Sequence, residues 1–269
     1  MKPDEAPFSL EVLLQTTREA AAGLGVVLGG RAMTRLGRYA VLLREASARM
    51  NLTAILDDRG IAVRHYADSL SALPALMADL AAAGSDAKAR PYRLLDVGTG
   101  AGFPGIPLRI ALDGEDGPAG RPVEMLLLDS LAKRTGFLCE VIADLGLTGI
   151  DVLHARAEDA ARGALRESFD FVVARAVAPL PVLLEYGLPF VRVGGLFVAM
   201  KGPDPSDETL SAARALQLLG GRMEGVDTFA LPGPEAEDMA RSLLRIRKAS
   251  PCPEGWPRTA GKPEKAPIL

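Results

Sequence analysis

Four glycines fall within the eight positions Gly98-Thr99-Gly100-Ala101-Gly102-Phe103-Pro104-Gly105, directly after the run Leu94-Leu95-Asp96-Val97. An apolar run ended by turn residues reads as a buried strand. Pro104 suits the first turn of a following helix, where its missing N–H is not needed. Strand, glycine turn and helix bring backbone against a nucleotide-like ligand, because glycine accepts φ > 0 and has no Cβ in the way.

The rest of the chain divides around that turn. Leu10, Leu13, Leu14 and then Leu36, Tyr39, Ala40, Leu43 recur at helical spacing, which predicts helices over 9–28 and 30–49 with a break at Gly29-Gly30. Two further helical stretches fill 59–83, parted near Leu73-Pro74. Residues 1–90 thus read as a helical extension ending in the polar linker Gly84–Arg90. From residue 91 the pattern alternates. Strands are expected at 92–97, 123–128, 150–154, 169–174 and 195–200, with helices at 104–112, 131–145, 158–163, 180–190 and 206–219. Segments 222–230 and 240–248 have no helix between them and should pair as an antiparallel hairpin. The expected fold over 91–250 is α/β: a doubly wound, mostly parallel sheet with an antiparallel C-terminal pair. Asp113–Pro122 reads as a solvated loop, and 251–269 as a basic tail.

Composition narrows the class. With 48% hydrophobic residues the chain has ample core. It has no stretch of about 18 apolar residues and no signal-peptide pattern, so a cytoplasmic protein without a membrane partner is expected. Cys139 and Cys252 are isolated, no metal-ligand spacing occurs, and Cys139 is expected to be a small core residue. A net charge of −3 argues against a general nucleic-acid coat, yet from Arg241 to Lys265 seven Lys/Arg face only Glu254 and Glu264.

The glycine turn parses two ways. Gly100-x-Gly102-x-x-Gly105 fits the dinucleotide fingerprint, and Asp96-x-Gly98-x-Gly100-x-Gly102 fits a loop that holds S-adenosylmethionine. A pyrophosphate asks for an open helix N-terminus, whereas a methionine ammonium asks for an acid, and Asp96 supplies one. Asp129 ends the second strand, where it would accept ribose hydroxyls or cap the next helix. Ala157-Glu158 follows the third strand, Arg175 closes the fourth and Lys201 the fifth, all at the carboxyl edge where ligands bind in open α/β sheets. Each also has a structural reading as a cap, an ion pair or a snorkelling lysine. His65 lies beside Arg64 in the helical extension, and His154 reads as a core-edge residue.

Assembled, these segments resemble the bacterial 16S ribosomal RNA guanine-N7 methyltransferase family, also called glucose-inhibited division protein B. Asn51-Leu52-Thr53, Arg64-His65-Tyr66-Ala67-Asp68-Ser69, Asp129-Ser130-Leu131-Ala132-Lys133-Arg134 and Met200-Lys201-Gly202 carry the likeness from about residue 35 to the C-terminus. One departure is Ala46 and Ser47, where the family usually has Trp-Asn. The resemblance implies a class I, Rossmann-like methyltransferase fold with S-adenosyl-L-methionine as cofactor. It implies a cofactor site at Asp96, Gly98, Gly100, Phe103, Asp129, Ala157, Glu158 and Arg175. Arg64, Lys133, Arg134, Lys201 and Arg258 become RNA contacts, and His65, Arg64 and Lys201 candidates for positioning the base. The implied partner is 16S ribosomal RNA or a 30S particle, met by a monomer. Guanine N7 has a lone pair and no hydrogen, so no catalytic base is required. An NAD-dependent oxidoreductase is the alternative that the glycine turn alone leaves open.

Overall fold

The computed structural model describes residues 8–82, 90–113, 122–233 and 238–269. Helices α1 (Leu10–Gly23) and α2 (Gly30–Met50) come first. A helical stretch over 58–70, α3, follows, and then α4 (Leu73–Ala82). The alternating part runs β1 (Tyr92–Val97), α5 (Gly105–Leu112), β2 (Val123–Asp129), α6 (Ala132–Asp144), β3 (Ile150–His154), α7 (Ala157–Ala160), β4 (Phe169–Arg175), α8 (Leu180–Gly187) and β5 (Val191–Lys201). It continues through α9 (Ser206–Ser211), α10 (Ala213–Leu218), β6 (Gly221–Leu231), β7 (Met239–Lys248) and α11 (Lys262–Lys265).

The seven strands lie in the order β3-β2-β1-β4-β5-β7-β6. Pairs β1–β2, β2–β3, β1–β4 and β4–β5 are parallel, while β5–β7 and β6–β7 are antiparallel. The chain winds outward from β1 in both directions, so the order reverses between β1 and β4. That reversal opens a crevice at the strands' carboxyl ends, where Val97, Asp129 and Arg175 terminate β1, β2 and β4.

Alternation along β1 shows how the sheet is covered. Leu94 joins one core with Ile106, Phe137, Phe171 and the N-terminal residues Leu36, Tyr39 and Leu43. Leu95 points to the other face, with Val172, Phe197, Leu183 and Leu216. Strands buried on both faces need apolar residues at successive positions, which is why β1 and β4 read as runs. The N-terminal helices are locked to the sheet by polar contacts too. Arg35 donates to the carbonyls of Leu145 and Gly146, and the Tyr39 hydroxyl donates to the carbonyl of Ala101 in the glycine turn.

Several expectations shift. The helix expected over 206–219 breaks at Ala212, and that expected over 158–163 is the single turn α7. Cys139 is exposed on α6, whereas Cys252 is buried. His154 is likewise exposed, its ring Nε2 lying 3.1 Å from the Ser130 carbonyl oxygen. Ala46 and Ser47 are buried, so that turn of α2 offers no external platform. The linker Gly84–Arg90, apart from Arg90, and the loop Asp113–Pro122, apart from its two end residues, lie outside the described residues.

Candidate functional site

Two cavities meet at the crevice. The first, about 230 Å³, is lined by Gly98, Asp129, Arg134, Ala157, Glu158 and Ala176 among others. Its floor is the glycine turn. Gly98 (φ +70°) passes so close to Val177 that an added Cβ would come within 2.7 Å of that side chain. Gly100 (φ +61°) differs: a Cβ there would meet nothing within 4 Å. Gly100 itself lines neither cavity, and its N–H is taken by Asp129. Gly105 serves packing instead, since a Cβ would overlap Leu127 and the carboxylate of Asp96.

Asp96 lines neither cavity. It is fully buried, and its Oδ2 accepts from the Thr99 hydroxyl (2.6 Å) and the Gly105 N–H (2.8 Å). The expectation of a direct ligand contact is therefore corrected: Asp96 lies beneath the turn and fixes its shape. Its Oδ1 has no hydrogen-bond partner among the described residues. Burial pushes its pKa from 3.8 up to about 6, against the pull of Thr99, Gly105 and Arg175. The ionised form is thus disfavoured in the fold, and stability is lost as pH rises from the unfolded value through about 6. Asp96→Asn keeps an acceptor for both donors and removes the titration. Its unfolding free energy relative to the parent is expected to rise by about 2 kcal/mol between roughly pH 4 and 7, checked by thermal unfolding of both proteins.

Asp129 knits two loops together. Its Oδ1 accepts from the Leu131 N–H (2.9 Å), and its Oδ2 accepts from the Gly100 N–H (2.9 Å) and from Arg134 Nη1 (3.4 Å). Asp129 does not cap the following helix, whose N-cap is Leu131; its carboxylate instead ties the Leu131 N–H to the glycine turn and lines the first cavity.

The second cavity, about 580 Å³, is lined by Arg64, His65, Asp68, Arg175, Met200 and Arg241 among others. Ala176, which borders both cavities, sits at φ +54°, in the left-handed region. A non-glycine residue held there is strained, and such strain concentrates at functional sites. Arg175 donates through Nη1 to Asp68 Oδ2 (2.9 Å) and to the Arg64 carbonyl (2.8 Å), with its guanidinium carbon 5.2 Å from the Phe103 ring centre. Asp68 also pairs with Arg241 Nε at 3.2 Å. The expectation for Arg175 therefore changes in part, since it walls the second cavity and not the first.

Local structure explains why Arg64, His65 and Asp68 converge. Residues Ile61–Ala67 form a wide π-helical turn in which the Asp68 N–H reaches back to the Val63 carbonyl. Such turns are rare and are often found at functional sites. Asn51 (φ +52°) caps α2 in the left-handed conformation. Thr53 then sets its hydroxyl 3.0 Å from His65 Nε2 and accepts from the Ile55 N–H. The His65 ring stacks on Phe103, with centres 4.3 Å apart and planes 10° off parallel. Burial, reinforced by Arg175, drops its pKa to about 3, so the imidazole is neutral at working pH.

The cations divide sharply. Arg64 and Lys133 are exposed. Arg134 belongs to the first cavity, at Asp129. Lys201 lines the second cavity, as a positioning residue would, but it is largely buried and its ammonium already bonds Glu208 (2.6 Å) and the Ala178 carbonyl (2.8 Å). The expected RNA contact at Arg258 is corrected, since Arg258 is paired with the buried Glu185 at 2.6 Å. Of the basic stretch, Arg241, Arg245, Arg247 and Arg258 all hold carboxylates, and Lys248 is wholly buried. The site residues that sequence reasoning left unassigned are Asp68, Arg241, Tyr186 and Glu264. No local pattern marks the last three, which come from strands and helices far apart in the chain.

The GidB family model, described as rRNA small subunit methyltransferase G, matches residues 32–235. The ribosomal RNA small subunit methyltransferase G of Acetivibrio thermocellus is 43% identical over 268 residues, covering 98% of this chain and 99% of that protein. Its namesake in Geobacillus kaustophilus is 42% identical over 245 residues, covering 91% and 94%. Among solved structures, precorrin-6y C5,15-methyltransferase from Geobacter metallireducens matches with a TM-score of 0.44 and 13% identity, over 66% of this chain and 87% of that one.

Proposed function

The chain belongs to the GidB family, the rRNA small subunit methyltransferases G, and from that premise we propose that it methylates N7 of a guanosine in 16S ribosomal RNA. S-Adenosyl-L-methionine supplies the sulfonium methyl, and the acceptor is the RNA alone or within a 30S particle in the cytoplasm.

The adjoining cavities, with Ala176 on the wall of both and Arg175 beside it, are the observation that carries this reading. The first cavity suits the adenosine end. Asp129 would accept ribose hydroxyls, the backbone at Gly98 would border the cofactor, and the Ala157–Glu158 turn would flank the base. The acids at this end suit a cationic cofactor, and the unpartnered Oδ1 of Asp96 adds negative charge just beneath it. Arg175 would meet the methionine carboxylate as the cofactor extends toward the second cavity, whose wall it forms.

The second cavity suits the target base. Its arginines offer donors to guanine O6 and to phosphate, and Arg64 and Lys133 are exposed for backbone contact. Because N7 carries no proton, the protein's work is in-line positioning and exclusion of water. A neutral His65 stacked on Phe103 fits that work: it braces the wall, and its lowered pKa makes it a weak proton acceptor.

Calorimetric titration separates this from nicotinamide chemistry. Saturable binding of S-adenosylmethionine with no heat from NAD is expected. Binding of NAD with none of S-adenosylmethionine would overturn the proposal.

A further inference from the structure

The C-terminal segment folds back across α7 and α8. Glu185, fully buried, accepts from the backbone N–H and the guanidinium of Arg258, at 2.8 Å and 2.6–3.1 Å. Arg162 donates to the Pro257 carbonyl at 3.2 and 3.0 Å. The Gly261 N–H donates to Glu158 Oε1 at 2.8 Å, a bond between residues 103 positions apart. The Tyr186 hydroxyl donates to Glu264 Oε1 at 3.1 Å, and Pro263 and Ile268 are buried. These contacts carry Glu264 and Tyr186 onto the wall of the first cavity, beside Ala157 and Glu158.

The cavity's acids are not equivalent. Asp129 already accepts from two backbone N–H groups and an arginine. Glu158 is buried and holds Gly261. Glu264 is exposed and held by a neutral hydroxyl. Burial first, and then the nearby Glu158 and Glu264, keep that Tyr186 hydroxyl protonated and able to donate. A carboxylate is acceptor-only and answers a donor on the ligand. Adenine offers one such donor on its rim, the exocyclic amine, whereas hypoxanthine has a carbonyl oxygen at that position and its own ring donor one atom away, at N1–H.

We propose that Glu264, brought into the cofactor cavity by the docked C-terminal segment, accepts the adenine amine and selects adenosine cofactors. The inference rests on the reading of this cavity as the S-adenosylmethionine site. It also assigns Glu158 to holding the segment in place.

The test compares S-adenosylhomocysteine with S-inosylhomocysteine by calorimetry on the full chain. The parent is expected to prefer the adenosyl ligand by roughly tenfold or more, the scale of a hydrogen bond to a charged group. Glu264→Gln and Glu264→Ala, at an exposed position, should keep the parent's melting temperature and shrink that preference to about threefold or less. Glu264→Gln should also bind the inosyl ligand more tightly than the parent does, since its amide can donate to the new carbonyl. An undiminished preference in both variants would overturn the proposal while leaving the cofactor site intact. A parent that binds neither ligand would instead overturn the cofactor reading itself.

Discussion

Arg175→Ala is expected to lower methyl transfer to ribosomal RNA by ~100-fold or more, because it removes the group proposed to orient the reactants where the cavities meet. Arg175 bonds Asp68 and the Arg64 carbonyl and covers the Phe103 ring, which itself stacks on His65. Its loss removes the hydrogen bonds to the Asp68 carboxylate and the Arg64 carbonyl and uncovers the Phe103 ring. The stability cost should be about 2 kcal/mol, below the ~3–5 kcal/mol of a fully orphaned buried charge, because Arg241 remains on Asp68. Arg175→Lys restores the charge but not the forked, planar contact, and should recover only part of the rate. Single-turnover assays at saturating cofactor, alongside thermal unfolding, check both numbers. Near-parental transfer by a folded Arg175→Ala protein would remove Arg175 from the reaction centre.

The second large effect falls on binding. Asp129→Ala is expected to weaken S-adenosylmethionine by ~100-fold, about 2.7 kcal/mol. It deletes the proposed ribose acceptor, leaves the N–H groups of Gly100 and Leu131 without their partner, and frees Arg134 to place an unpaired positive charge in the cavity proposed for a cationic ligand. Asp129→Asn retains one acceptor oxygen and should lose about tenfold, since hydrogen bonds to neutral groups are the weaker kind. Calorimetry with S-adenosylhomocysteine measures this without RNA. Unchanged affinity with slowed turnover would move Asp129 to the acceptor side.

Much of this site was legible because its residues sit at strand ends. Asp129 and Arg175 each terminate an apolar run, and in a doubly wound sheet that alone places them at one edge. The antiparallel finish was legible for a similar reason, since no helical pattern separates 222–230 from 240–248. What the sequence hid is pairing between distant segments. Arg258 and Lys201 looked like free cations, and their partners Glu185 and Glu208 carry no signal that they would fold beside them. The C-terminal stretch looked like a solvated basic tail, yet most of its charge is matched by acids spread from Asp68 to Asp227. Asp96 had the right chemistry for an ammonium, but only the positions of Thr99 and Gly105 show that the turn itself occupies its Oδ2. The Asn51-Leu52-Thr53 motif owes its place to a contact that spacing does not signal, the Thr53 hydroxyl beside His65 Nε2.

The most direct test incubates the protein with methyl-labelled S-adenosylmethionine and undermethylated small-subunit ribosomal RNA, both free and in 30S particles, and maps the labelled nucleoside. Label confined to N7-methylguanosine at a single 16S position is the expected result. Label on another atom or base, or no transfer to either substrate by a protein that binds the cofactor, would contradict the account.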